Sequence, residues 1–560
     1  MKIALSQLNY HIGNFEGNYE KVVTHIRRAE VEGVSLVVFA ELALSGYPAR
    51  DFLEQREYIE KCLSWLARIA AECTNVAAII GGPSFNTRES GKDLFNSAFY
   101  LYKGEVKDQV NKALLPTYDI FDEYRYFEPE TSFHCVTHDG TPIALTICED
   151  LWNIVDPLYV TQPMEALMKQ HPKLMINIAA SPFNYTQAET RLETLRANAL
   201  KYGLPLVYVN HVGAQTEIVF DGGSMVLDKK GEVLVQLASF VEDFTVVEVS
   251  DTSAYQDELH ATWISALPAR LPADVKTILS NVKYTQRIYE ACVLGIRDYF
   301  QKLGFKNAVL GLSGGIDSAV VCALATEALG SSHVTAVLLP SRYSSDHSIK
   351  DARDLVDALG TNSYTIPITN VALAFEETLS PVFRNLPAGI AEENIQARSR
   401  SVILMALSNK LGMVLLNTSN KSEAAVGYGT LYGDMAGALS VIGDLYKTQV
   451  YELARFINRE CEIIPVSTLS KPPSAELRPD QKDSDSLPEY DLLDQILYLH
   501  IEKKEGRNTL VSLGYDAITV DKTLTLVNIA EFKRYQSAPI LRVSPKSFGM
   551  GRRMPIVGKY

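Results

Sequence analysis

The stretch LSGGIDS (312–318) lies where the apolar run NAVLG ends and the helix-like run AVVCALATEALG begins. Gly314 and Gly315 permit close backbone approach, so loop amides and the helix N-terminus face an anion. Ser313 and Ser318 add hydroxyl donors, and Leu312 and Ile316 complete the loop. A GxxxxGK[ST] loop would carry a lysine and a dinucleotide loop would read GxGxxG; neither pattern occurs here. Asp317 would repel phosphate unless a divalent cation stood between them, which assigns it to Mg2+. The chemistry implied is that of a nucleotide held by its phosphates.

A second set of reactive residues lies in the first half. Glu41 ends SLVVFAE, Lys112 follows VKDQVN, and Cys148 ends PIALTIC, each just after an apolar strand. Strand ends are where α/β folds gather their chemistry. A cysteine nucleophile acts as its thiolate, so a nearby base and cation would help it. Glu41 could take the thiol proton and return it to a leaving amine, while Lys112 could hold an oxyanion. Spacing alone does not select these three, because a lone cysteine in an apolar strand is more often a core residue.

The elements that must position both sets are legible as alternation. In the first half, apolar strands (MKIALSQLN, VAAIIGGPSF, LMINIAAS, PLVYVNHVG) alternate with amphipathic helices. In NYEKVVTHIRRAEVEG the residues Val22, Val23, Ile26 and Ala29 recur about one turn apart, and a glycine ends the run. The pattern loosens near 250–275, where a boundary fits. Beyond it, NAVLGLS, HVTAVLLPS, SYTIPI and MVLLNTS follow the strand–helix rhythm of a doubly wound parallel sheet. The polar, proline-rich segment 470–491 reads, on composition, as a disordered linker.

At 560 residues the chain exceeds one core, and two large domains are expected. The net charge of −14 argues against a nucleic-acid binder, since affinity there comes from neutralising phosphates. The N-terminal apolar run is broken by Gln7 and Asn9, so neither a leader nor a membrane span is expected. Seven cysteines without CxxC pairing fit a reducing, cytoplasmic setting and no structural zinc; no flavin is expected.

SGGxDS is the signature of the ATP pyrophosphatases, or PP-loop ligases. Together with NIQARSR (394–400), NTSNKSE (417–423), the run 427–453 and KPPSAEL within 470–497, it makes 275–560 resemble the NAD synthetases. That resemblance implies an ATP site at Leu312–Ser318 with Thr418 and Lys447, and Mg2+ on Asp317 and Glu423. It implies that Asn394, Arg398, Arg400 and Lys471 meet a pyridine dinucleotide; for the two arginines a solvated helix face is the competing reading. It also recasts 470–491 as a lid, with Asp483 as a site residue.

ELALSGYPARD (41–51), NKALLPTYDIFDEYRYF (111–127) and CEDLW (148–152) resemble the nitrilase, or carbon–nitrogen hydrolase, superfamily, and its glutaminase branch in particular. This implies Glu41 as base, Lys112 as stabiliser and Cys148 as nucleophile, with Glu123 in support. Tyr118, Glu149 and Ser181 would hold glutamine, and His211 is read as structural.

The resemblances imply a nitrilase-like α/β/β/α sandwich at 1–265, a linker at 266–278, and a Rossmann-like, adenine nucleotide α-hydrolase-like domain at 279–560. The expected reaction is ATP-dependent amidation of nicotinic acid adenine dinucleotide through an acyl-adenylate, with ammonia from glutamine. Ammonia free in neutral water is mostly ammonium, so a protected passage between sites is expected, as is assembly into a homo-oligomer. The competing readings are another PP-loop amidotransferase and an amidase carrying a nucleotide-sensing module.

Overall fold

The structure is a computed structural model that describes residues 1–155, 157–249, 274–384, 386–479 and 481–558. The chain divides into two compact units, Met1–Leu271 and Pro272–Tyr560. Most of the expected linker 266–278 lies outside the described residues; its remainder enters the helix Val275–Leu279.

In the first unit two six-stranded sheets pack face to face. One sheet has the spatial order Asp243–Glu248, Lys2–Gln7, Leu36–Val38, Ala77–Phe85, Leu94–Tyr102, Glu105–Asn111. The other runs Val233–Gln236, Met225–Leu227, Leu206–Asn210, Leu174–Ala179, Thr141–Ile147, Val136–His138. Three central strands of each sheet are parallel and the edges antiparallel.

Period-two alternation explains the layers. Ile3, Leu5, Leu36, Val38 and Ile79 point to the second sheet and join its Ile143, Leu145, Ile176 and Val207 in one core. The intervening Ala4, Val37, Ala78 and Ile80 face the opposite side. There they meet Val22 and Ile26 of the helix Phe15–Val31, and Leu66 and Ile69 of the helix Arg56–Glu72. Burying each such side chain contributes about 1.5–3 kcal/mol. Asn14 caps the first helix by accepting from Gly17 N at 3.2 Å, and Gly33, at φ +66, turns the chain out of it. The helices Pro163–Met168 and Gln187–Tyr202 pack through Met164, Leu167, Leu195 and Tyr202 onto the second sheet, completing an α/β/β/α sandwich.

The second unit holds a parallel five-stranded sheet in the order Asn362–Thr365, Val334–Leu338, Asn307–Gly311, Met413–Asn417, Leu439–Ser440. The chain order of these strands is therefore 3-2-1-4-5. The order reverses between Asn307–Gly311 and Met413–Asn417, and a crevice is expected outside their carboxyl ends. Both chemically marked loops, SGGIDS and TSNKSE, leave the sheet there. Segment 470–491 is not the disordered linker its composition suggested. Gln396 Nε2 donates to Leu477 O at 3.0 Å, and Glu476 accepts from the hydroxyls of Ser345 and Ser348 at 2.9 and 2.7 Å. Side-chain hydrogen bonds to neighbours replace the core that the segment cannot form alone.

Candidate active sites

In the first unit, Glu41 sits three residues beyond Val38, Lys112 directly follows the strand Glu105–Asn111, and Cys148 directly follows Thr141–Ile147. The chain turns sharply at Cys148, whose φ of +43 is in the left-handed region that a non-glycine residue rarely adopts. Asp150 fixes that turn: its Oδ1 accepts from Ala113 N and Leu114 N at 3.0 and 2.9 Å, and its Oδ2 from Ile147 N at 3.0 Å. One buried carboxylate thus ties the Lys112 strand end to the Cys148 turn.

Lys112 is fully buried and donates to Glu41 Oε1 at 2.7 Å and to Glu123 Oε1 and Oε2 at 2.9 and 2.8 Å. Asn96 Nδ2 also donates to Glu41 Oε1, at 2.7 Å, and Ala180 N donates to Glu41 Oε2 at 2.8 Å. Tyr47 donates to Glu123 at 3.0 Å. Gly81 makes room for the Glu41 turn, since a Cβ there would lie 2.3 Å from Leu42 N and 2.6 Å from Glu41 Cα. His211 Nε2 is 2.5 Å from Glu41 O, so its contact is with the backbone that carries the carboxylate.

Burial pushes the Cys148 thiol well up, Glu41 adds to the rise, and Lys112 opposes it. The free protein therefore holds a thiol that needs a base to become a nucleophile. Burial lowers and the two carboxylates raise the Lys112 ammonium, with the carboxylates prevailing, so it stays charged. Burial pushes Glu123 up to about 7 against the pull of Lys112. Tyr118 donates to Glu149 Oε1 and Oε2 at 2.9 and 3.1 Å, and Tyr159 joins them at 3.2 Å. Ser181 N donates to Asn210 Oδ1 at 2.8 Å.

In the second unit the strand Asn307–Gly311 runs through the glycine loop into the helix Ile316–Leu329. Gly314 has φ +80, and a Cβ there would stand 2.1 Å from Ser348 O. Ser313 Oγ accepts from Gly315 N at 3.1 Å and lies 3.1 Å from Ser318 Oγ. The loop opens on a cavity of about 300 Å³ lined by Leu312, Ser313, Gly315–Ser318, Thr418, Glu423, Lys447, Arg400, Lys471 and Asp483.

Lys447 Nζ donates to both Asp317 and Glu423, the latter at 3.2 Å, and Asn420 Nδ2 donates to Asp317 Oδ1 at 3.0 Å. Burial pushes Glu423 up to about 8; Lys447 lowers it, and Asp317 and Asp483 raise it again. No group of three or more His, Cys, Asp or Glu fit to hold a metal occurs among the described residues. Two carboxylates beside a phosphate loop nonetheless fit Mg2+, which binds through one or two carboxylates together with substrate phosphates.

The four residues expected to meet a dinucleotide divide. Arg400 is half-buried, lines the cavity and donates to Leu339 O at 3.1 Å; Lys471 lines it too and donates to Asp351 Oδ2 at 3.0 Å. Arg398 and Asn394 do not line it: Arg398 donates to Leu431 O at 3.2 Å, and Asn394 accepts from Thr430 at 2.8 Å. Sequence reasoning passed over Asn96, Tyr47, Asp150 and Asn420. Asn96 carried a signal, a polar residue inside the apolar strand LFNSAFYLY; Tyr47, Asp150 and Asn420 lie inside the quoted motifs, which do not reveal their partners.

A carbon–nitrogen hydrolase family model matches residues 2–256 and an NAD synthase family model matches residues 288–537. The chain is 43% identical over 564 residues to the glutamine-dependent NAD(+) synthetase of Synechocystis sp., covering 99% of this chain and 98% of the relative. The chain belongs to the glutamine-dependent NAD(+) synthetase family. The Thermotoga maritima family member is 38% identical and is aligned over 100% of this chain and 99% of its own. The solved glutamine-dependent NAD+ synthetase of Acinetobacter baumannii, in complex with ADP, superposes with a TM-score of 0.75 at 34% identity. That match covers 99% of this chain and 98% of that one.

Proposed function

We propose that this protein is a ligase that amidates nicotinic acid adenine dinucleotide to NAD, using ATP and ammonia that it draws from glutamine. The observation that carries this reading is the buried Glu41–Lys112 pair, whose charges bear on the Cys148 thiol, in one chain with the phosphate-loop cavity. Full-length similarity to named glutamine-dependent synthetases supports it.

In the first unit Glu41 takes the Cys148 proton as sulfur attacks the side-chain carbonyl of glutamine, and Lys112 holds the resulting oxyanion. The C–N bond then breaks, Glu41 returns the proton, and ammonia leaves a glutamyl thioester. Water attacks the thioester and releases glutamate. Tyr118, Glu149 and Ser181 orient glutamine, and Glu123 keeps Lys112 in register.

In the second unit the 312–318 loop cradles the β- and γ-phosphates of ATP, with Thr418 toward the nucleoside. Asp317 and Glu423 would hold Mg2+, which when bound neutralises phosphate charge, and Lys447 supplies the cation that the loop lacks. The nicotinate carboxylate attacks the α-phosphorus and pyrophosphate leaves. Ammonia then attacks the acyl-adenylate carbonyl and AMP leaves. Arg400 and Lys471 suit the dinucleotide's phosphates. Arg398 and Asn394 are assigned to its outer reach.

No helix among the described residues is long and apolar enough to cross a membrane, and all seven cysteines are free, which supports a cytoplasmic setting. A homo-oligomer remains the expected assembly.

The test follows NAD, AMP and pyrophosphate with ATP, Mg2+, the dinucleotide acid and either glutamine or ammonium chloride. Cys148→Ala should lose the glutamine-driven reaction and keep the ammonium-driven one. Continued use of glutamine by the variant would remove Cys148 from its role.

A further inference from the structure

Behind the ATP cavity, outside its lining, stands a carboxylate that the reaction above does not use. Asp494 lies one turn into the helix Tyr490–Ile501 and is fully buried. Its Oδ1 accepts from Ser422 Oγ at 2.5 Å and its Oδ2 from Thr448 N at 2.8 Å. The Ser422 hydroxyl, having donated to Asp494, accepts from Lys447 N at 2.9 Å. Ser422 precedes Glu423 in the helix Lys421–Val426, and Thr448 follows Lys447 in the helix Lys447–Ile457.

We propose that Asp494 is a positioning residue of the ATP site. Its carboxylate ties together the first turns of the helices that carry Glu423 and Lys447 and so sets how these two side chains meet Asp317. The assignment rests on the proposed roles of Glu423 and Lys447.

Three physical points support it. Both partners of Asp494 are donors, so the site demands a group that only accepts; an asparagine would turn its NH2 toward one of them. A buried carboxylate is costly unless satisfied, and mere cohesion of two helices would be met better by apolar side chains. The amide of Thr448 belongs to the first turn of its helix, where the helix dipole favours an anion. The same helix reaches the 470–491 segment: the Tyr490 hydroxyl donates to Asp483 Oδ2 at 3.0 Å, and Lys447 Nζ lies 5.4 Å from the Tyr490 ring centroid. One helix therefore registers both the lid-like segment and the Lys447–Glu423 pair.

The experiment uses the full chain with ammonium chloride as nitrogen donor, which takes the cysteine site out of the measurement. Asp494→Asn and Ser422→Ala should each lower kcat for NAD and AMP formation roughly tenfold or more, as expected for losing a hydrogen bond to a charged group. Basal glutamine hydrolysis should stay within twofold of the parent, and Ser422→Thr, which restores the hydroxyl, should recover most of the rate. Should Asp494→Asn fail to fold, Ser422→Ala decides alone. A kcat within twofold of the parent in Ser422→Ala, whatever its melting temperature, overturns the proposal. Crystals of Ser422→Ala give an independent reading: the Lys447–Glu423 contact, 3.2 Å in the parent, should lengthen, and an unchanged contact would also overturn it. A parent protein that forms no AMP would instead overturn the functional reading, with the crystal comparison still testing the positioning.

Discussion

Lys112 offers the sharpest test of the first unit because it has no exposure at all and serves two carboxylates at once. Lys112→Met keeps the volume and removes the charge. Glu41 and Glu123 are then left facing each other in a buried site without their cation. Removing one partner of a buried ion pair destabilises by about 3–5 kcal/mol. For a unit of 271 residues this corresponds to a fall in melting temperature of about 5–9 °C.

The loss should depend on pH, and its sign is fixed. Glu123 is already pushed up to about 7 by burial against the pull of Lys112, and without the ammonium it rises further. A carboxylate whose pKa is higher in the folded than in the unfolded state favours folding while it is protonated. That contribution is full below the unfolded value and disappears as pH climbs through the folded one. In the parent the window closes near 7; in the variant it extends above. The deficit should therefore be largest at pH 8–8.5, shrink as pH falls toward 7 by up to about 1.4 kcal/mol per pH unit, and level off below that. Calorimetric melts of both proteins across this range measure it. An unchanged melting temperature at pH 8, or a deficit independent of pH, would refute the reasoning.

Two glycines give complementary tests. Gly314→Ala puts a methyl 2.1 Å from Ser348 O in a backbone that disfavours it, so NAD synthesis from either nitrogen source should fall about 100-fold while basal glutamine hydrolysis persists. Gly81→Ala presses on the Glu41 turn, so glutamine hydrolysis should fall by a similar factor while ammonium-driven synthesis survives. The two activities assayed side by side decide both. Loss of both activities together in either variant would point to general misfolding.

Much of this architecture was legible because it is written in short-range patterns. Alternation placed the strands, the glycine before 34 ended the first helix, and the strand–loop–helix context exposed the phosphate loop. Residues whose role depends on long-range meeting were not legible. Asp150 lies next to Glu149 in sequence, yet its partners include amides 36 and 37 residues away. Asn420 meets Asp317 across 103 residues, and no local periodicity encodes such a contact. Composition misled at 470–491, where prolines and charges suggested disorder and contacts to Ser345, Ser348 and Gln396 supply order instead.

The hydrogen bonds around Glu41 also fix a direction of traffic. A carboxylate offers about four lone-pair sites. Two on Oε1 are occupied by Lys112 and Asn96, and one on Oε2 by Ala180 N. Among the described residues, one site on Oε2 meets no donor. With Glu41 as the proposed base, the proton taken from the thiol and the proton returned to the departing amine share that one doorway, so loading and unloading take turns.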